Sequence, residues 1–250
     1  MKIKIYGERH CGTNYLESLI ENNLRAEIVK FRTSWWSLLL LKNIKFDFIQ
    51  DILWYLQRKE TLGWKHGCPP VMAIEKYSSD SLVIITITKN PYSFLHSLYR
   101  NPYHIKGKKS SDFSQFLRHP WLTRGRDLCG KRSLDFPLEL WNLKNASYVR
   151  LKSRLPKIVI NITYEQLLEN PEKCIHHIAS EGNIEYINKG EFKNHQKSTK
   201  DSDMTFEDYQ KYYLNEEWKK EFSEEDFTFL NGKIDEELMK YFNYPKKSQP

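Results

Sequence analysis

The sequence predicts an α/β fold of three layers: a mostly parallel central sheet with helices on both faces, helical insertions and a helical C-terminus. Three observations predict it. Short β-branched runs alternate with stretches of helical periodicity along most of the chain. One of them, "SLVIITIT" (residues 81–88), is almost continuously apolar, as a strand covered on both faces requires. A second, "KIVINIT" (157–163), repeats the pattern and runs straight into helical spacing.

The elements follow in order. "KIKIY" (2–6) is a short β-capable segment, and after Thr13 the residues Tyr15, Leu16, Leu19, Ile20 and Leu24 recur on one helical face with Glu17 and Glu21 opposite. "AEIVKF" (26–31) reads as a second strand. Residues 34–58 are apolar and aromatic at helical spacing, and 34–60 read as an insertion packed on the body or offering a face to a partner or membrane surface. The strand at 81–88 ends in "TKNPYSFLHSLYRN", where Asn90-Pro91 turns the chain into a helix. Residues 101–136 form a second insertion, and "ELWNLKNASYVR" (139–150) reads as a helix with Leu140 and Leu143 inward. Trp141 and Tyr148 are either core or ligand-facing residues. Pro171 punctuates the helical stretch after 163. The acidic C-terminal stretch reads as two or three amphipathic helices. One domain over residues 1–245 with a tail at 246–250 fits a 250-residue chain.

Charge is unevenly distributed. The formal net charge is +7, yet residues 201–250 hold 13 acidic residues against 7 lysines, which leaves +13 on residues 1–200. A basic field of this kind recruits anions, or is simply a solvated lysine-rich surface. No nucleic-acid-binding motif accompanies the charge. Cys11, Cys68, Cys129 and Cys174 are widely spaced with no CxxC pair, which argues against a zinc site and gives no disulfide framework. The longest apolar run, "WWSLLLL" (35–41), falls far short of the roughly 20 residues needed to cross a bilayer. No apolar leader core opens the chain, so a reducing, cytoplasmic location is expected.

Two stretches carry chemistry. "GERHCGTNYL" (7–16) has glycines at Gly7 and Gly12 with the spacing of a phosphate-cradling loop, but Thr13 and Asn14 stand where such a loop carries Lys and Ser/Thr. The γ-phosphate contact and the magnesium ligand are therefore both missing, and no metal is expected. Backbone amides of residues 10–14 at a helix N-terminus would still hold an anion. In the second stretch Lys89 ends the strand and Ser97 follows about two helical turns later, so a cation and a hydroxyl can converge on one phosphate.

Together these stretches resemble the sulfotransferases that use 3′-phosphoadenosine 5′-phosphosulfate (PAPS), proteins with a P-loop, nucleotide-kinase-like fold. "H-C-G-T-N-Y-L" is similar to the family's "K-S-G-T-T-W-L" loop, and Lys89-Asn90-Pro91 with Ser97 is similar to its "R-N-P" and following serine. "ITYEQLLENP" looks like its "V-R-Y-E-D-L-L-x-D-P", and residues 222–244 look like its closing helices. The resemblance implies that Arg9, His10, Cys11, Gly12, Thr13 and Asn14 hold the 5′-phosphosulfate while Lys89 and Ser97 hold the 3′-phosphate. His10, preceded by Arg9, replaces the family's catalytic lysine. Lys197 and Lys200 either close over the 3′-phosphate or stand in a solvated loop.

"GWKHGCPP" (63–70) looks like the family's "K-T-H-L-P" with the spacing off by one, and implies His66 as the base with Lys65 at the sulfate or leaving group. Glu75 is the reserve base. Trp35 and Trp36 either line an acceptor groove or are buried in the first insertion. The acceptor is expected to offer a hydroxyl or an amine, with carbohydrates among the candidates. Two other functions fit the same residues: a nucleotide or small-molecule kinase with a degenerate loop, and a non-catalytic nucleotide-binding module.

Overall fold

The structure is a computed structural model that describes residues 1–30, 51–52, 61–77, 81–102, 110–188, 191–195 and 204–248. Trp35, Trp36, Lys197, Lys200 and most of the 34–60 insertion lie outside the described residues.

Strand β1 (Lys2–Gly7) pairs in parallel with the two-residue β2 (Glu27–Ile28) on one side and with β3 (Leu82–Thr88) on the other. Strands β4 (Trp121–Leu122) and β5 (Ser133–Leu134) form a separate antiparallel pair in the second insertion. Strand β6 (Val159–Thr163) pairs in parallel with β3, giving the central order β2-β1-β3-β6. All seven residues of β3 are buried, as its continuous apolar run requires. β2 is shorter than its β-capable sequence because only Glu27 and Ile28 pair with the edge of β1.

The helical layers follow from the two-residue period of the strands. Ile3, Ile5, Val83, Ile85, Ile87, Ile160 and Ile162 face one side. There they pack on Leu16, Leu19 and Ile20 of α1 (Thr13–Asn23). Tyr6, Leu82, Ile84 and Val159 face the other side. They meet Ile74 of α2 (Val71–Tyr77), and Tyr148 and Leu151 of the long helix that leads to β6. Helix α3 (Pro91–Arg100) follows β3, and α4 (Phe113–Arg118) lies in the second insertion. The long helix is α5 (Leu138–Arg154). Pro171 divides the next helical stretch into α6 (Tyr164–Glu169) and α7 (Pro171–Gly182), with Asn170 capping the second through Lys173 N. Ile175 and Ile178 of α7 complete the first face.

The acidic C-terminal part folds as α8 (Phe206–Leu214), a 3₁₀ turn (Glu217–Glu221), α9 (Glu224–Asn231) and α10 (Glu236–Tyr241). Trp218, Phe222, Phe227, Leu230 and Met239 from this part pack on Phe94, Leu95 and Leu98 of α3. The expected tail begins with bonded residues. Lys247 N donates to Tyr92 Oη (3.2 Å), and Lys246 pairs with Glu236 (2.6 Å). Tyr244 Oη donates to Glu165 Oε2 (2.6 Å), whose other oxygen accepts from Asn90 N (3.0 Å). The turn after β3 is thus held by Tyr244 through one half-buried carboxylate. Burial pushes the Glu165 carboxyl up, opposed by these two donors.

The order of strands positions the site. From β1 the chain crosses to β2 on one side and then to β3 on the other, so the direction of winding reverses between β1 and β3. In open α/β sheets a crevice forms at the carboxyl ends of such a pair. Gly7 and Thr88 are those ends, at the two stretches singled out by the sequence.

Candidate functional site

The glycine loop is built by close approach. A Cβ on Gly7 would lie 2.5 Å from Ile87 Cγ2 and 2.7 Å from Thr13 Cγ2, so only glycine lets the loop leave the sheet here. Gly12 has φ 79°, and a Cβ there would meet the Tyr164 ring at 2.5 Å. Gly12 is also the N-cap of α1 and contributes no side-chain bond, so the helix's leading amides face the crevice without a side-chain cap. His10 adopts φ 67°, and its Nε2 pairs with Asn101 O (2.9 Å) at the end of α3. The Arg9 guanidinium stacks on Trp64 at 5.5 Å. Cys11 is buried, and burial pushes its thiol up.

Lys89 lies beside this loop. Its side chain is fully buried, and its ammonium donates to Ser97 Oγ (2.9 Å) and to His10 O (3.3 Å). The Tyr213 ring of α8 covers it at 3.7 Å, and the Tyr213 hydroxyl is 3.3 Å from Ser97 Oγ. Burial works against ionisation of Tyr213, but the Lys89 charge and the Ser97 hydroxyl outweigh it and hold the phenol below its ordinary range. Beneath, Trp141 Nε1 donates to Lys89 O (2.8 Å), so Trp141 is a core residue that fixes the strand end. Asn90 caps α3 through Tyr92 N (3.1 Å) and Ser93 N (3.5 Å), with Pro91 at the first helical position.

The Lys65-His66 segment docks on the same loop. Gly7 N donates to Lys65 O (2.9 Å), and the Lys65 ammonium reaches Asn14 Oδ1 (2.8 Å) and Glu17 Oε1 (2.8 Å) on α1. His66 Nδ1 is 2.7 Å from Gly7 O. A carbonyl only accepts, so Nδ1 carries the proton and Nε2 keeps its lone pair. Burial, assisted by Lys65, Arg9 and Lys144, holds the imidazole well below the usual histidine range. His66 is therefore neutral, with a fixed tautomer. The segment is anchored from the sheet: Lys4 Nζ donates to Thr61 O (2.5 Å) and Gly63 O (2.7 Å), and Tyr6 Oη donates to Leu62 O. Glu75 instead pairs with Arg154 (2.7 Å), ten residues and about 15 Å along α5 from the Lys144 that touches His66.

The sequence did not reveal what supports this side. Lys144 is fully buried and pairs with Glu8 of the glycine loop and with Asp127 (3.2 Å), and it also donates to His66 O. Burial would push its ammonium down, but the two carboxylates hold it above the usual lysine range. One signal was available: Lys144 falls between Trp141 and Tyr148 on the apolar stripe of α5, where a solvated lysine would not be placed. Tyr213 gave no comparable signal. Among the described residues no group of three or more His, Cys, Asp or Glu could hold a metal ion. Among them also, no helix is long and apolar enough to cross a membrane.

Two solved structures align with 97% of this chain. One is a sulfotransferase domain from the curacin biosynthetic pathway, at 13% identity and a TM-score of 0.44, covering 82% of that chain. The other is a sulfotransferase from Alicyclobacillus acidocaldarius, at 14% identity and a TM-score of 0.42, covering 96% of that chain. No family model and no curated protein matches the sequence. Likenesses this distant carry no functional argument, which rests on the chain's own residues.

Proposed function

We propose that this protein is a sulfotransferase that moves a sulfuryl group from PAPS to a hydroxyl or amine of an acceptor, with carbohydrates among the candidates. The supporting observation is the Lys89 ammonium, which bridges the His10 carbonyl of the glycine loop and the Ser97 hydroxyl. A cation that joins the two βα junctions at the reversal point suits a ligand with a phosphate at each end. The residues fit the donor: Gly12 leaves space that a Cβ would fill, and α1 lacks a side-chain cap. Thr88 Oγ1, beside Lys89, is buried with no hydrogen-bond partner among the described residues.

On this proposal the leading amides of α1, with Thr13 and Asn14, hold the 5′-phosphosulfate, and Arg9 and His10 lie beside its bridging oxygen. Lys89 and Ser97 take the 3′-phosphate, which displaces the Tyr213 phenol from Lys89. His66 Nε2 accepts the proton of the acceptor hydroxyl as its oxygen attacks sulfur. The sulfur–oxygen bond to the 5′-phosphate breaks, and that oxygen keeps the electron pair beside the cations of the loop. Neutral His66, with Nδ1 committed to Gly7 O, is in the form that accepts a proton.

Calorimetry with 3′-phosphoadenosine 5′-phosphate tests the donor assignment. Binding is expected to exceed that of AMP at least tenfold, and Lys89→Ala with Ser97→Ala is expected to abolish the difference. Equal affinity for the two nucleotides in the parent protein overturns the assignment. Magnesium-dependent ATP turnover would favour a kinase instead.

A further inference from the structure

Four cysteines scattered through the sequence leave one close pair in the fold. Cys68 Sγ and Cys129 Sγ are 3.3 Å apart, although 61 positions separate them in the chain. All four cysteines are free thiols, and Cys11 and Cys174 are both buried.

We propose that Cys68 and Cys129 are a peroxide-sensitive thiol pair that closes to an intramolecular disulfide, joining the His66 loop to the 125–130 loop. The inference stands apart from the sulfotransferase proposal, because it rests on the two thiols and their surroundings and needs no ligand.

The loops are already docked. Cys68 N donates to Asp127 O (2.7 Å), and a Cβ on Gly67 would lie 2.6 Å from Arg126 O. Little backbone movement is therefore needed to bring the sulfurs from contact to bonding distance. The surroundings also choose which sulfur reacts first. The contact with the Cys129 thiol, with the Lys144 ammonium and the Ser147 hydroxyl assisting, holds the Cys68 thiol below its usual range despite burial. The same interaction with Cys68, followed by burial, pushes the Cys129 thiol up. The flanks of Cys129 are open and turned: Leu128 is 47% exposed at φ 54°, and Gly130 has φ 74°. Cys129 itself is half-buried and Cys68 behind it is buried, so the 128–130 side is the more open side of the pair.

The chemistry balances with hydrogen peroxide as the oxidant. The Cys68 thiolate attacks one peroxide oxygen, the O–O bond breaks, and a sulfenic acid and hydroxide form. Cys129 loses its proton as its sulfur attacks the sulfenic sulfur, and water leaves. In sum, two thiols and one peroxide give one disulfide and two waters. The two sulfurs lose two electrons and the peroxide gains them. A dithiol reductant reverses the step.

The consequence falls on His66 and Asp127, each two residues from one of the sulfurs and both in contact with Lys144. A covalent tie would fix the His66 loop on the floor that Lys144 already organises.

The test uses the full-length protein treated with hydrogen peroxide, then alkylated under denaturing conditions without reductant. The expected result is a mass lower by about 2 Da before alkylation, and alkylation of two thiols instead of four after it. Peptide mapping should join the Cys68 and Cys129 peptides, and dithiothreitol should restore the starting mass. Cys68→Ser and Cys129→Ser should each prevent the link. The mapping of the parent protein decides the matter even if a variant folds poorly. A disulfide to Cys11 or Cys174, or sulfinic acid on Cys68 without a link, overturns the proposal.

Discussion

Replacing Lys144 with Met tests the support beneath both loops of the site. The Lys144 side chain is 1% exposed, Glu8 6% and Asp127 7%, so the substitution takes the Lys144 ammonium away from two buried carboxylates and from the His66 carbonyl. Breaking a buried pair in this way costs about 3–5 kcal/mol, because the remaining charge is not compensated. For a chain of this size that lowers the Tm by roughly 10 °C. Urea unfolding of Lys144→Met against the parent protein measures the loss. Adding Glu8→Gln and Asp127→Asn should return a substantial part of it, since neutral amides remain hydrogen-bonding groups without a buried charge. A loss below about 1 kcal/mol, or a triple variant no more stable than the single one, would refute the reasoning from burial.

Three further outcomes are expected. Gly12→Ala adds a Cβ at φ 79° against the Tyr164 ring, and should cost about 2–4 kcal/mol in urea unfolding while abolishing binding of 3′-phosphoadenosine 5′-phosphate. Asn90→Ala removes the cap of α3, and should cost about 1 kcal/mol by the same assay. Acid should destabilise the protein through His96, whose Nδ1 is 2.9 Å from Tyr212 Oη between the rings of Phe113 and Phe222. Burial, with Arg100 and Lys89 adding and Glu221 opposing, pushes its imidazole down to about 4. The unfolded chain therefore binds the proton first, and stability present above pH 6.5 declines as pH falls toward 4, by up to about 1.4 kcal/mol per pH unit. Comparing urea midpoints of the parent and His96→Phe across this window should show a shallower slope in the variant, and equal slopes would exclude the assignment.

What the sequence made legible was local. The β-branched run at 81–88 has the composition of a strand covered on both faces, and β3 is such a strand. Asn90-Pro91 and Asn170-Pro171 carry their caps and stops in adjacent residues, so α3 and α7 begin where turn chemistry places them. The approach of Lys89 to the glycine loop was also foreseeable, because both lie at carboxyl ends of parallel strands. Pairings across long separations were not. The Glu8–Lys144–Asp127 cluster and the Cys68–Cys129 contact join residues with no periodic relation, and only the packing of α5 against two loops brings them together. Tyr213 sits on Lys89 because the first turn of α6 and the last turn of α8 meet there, with Tyr164 and Tyr213 edge to face at 5.2 Å. Neither helix announces that contact in its own pattern.

The half-buried carboxylate of Glu165 has a consequence for how the protein matures during synthesis. It receives Asn90 from 75 positions upstream and Tyr244 from 79 positions downstream, while Tyr92 waits for Lys247, 155 positions later. A nascent chain that has emerged past β3 can pair it with β1, yet the turn after β3 stays unfastened until residues 244–247 clear the ribosome. Order at this turn should therefore arrive late and abruptly, once residues 244–247 have emerged, rather than gradually with elongation.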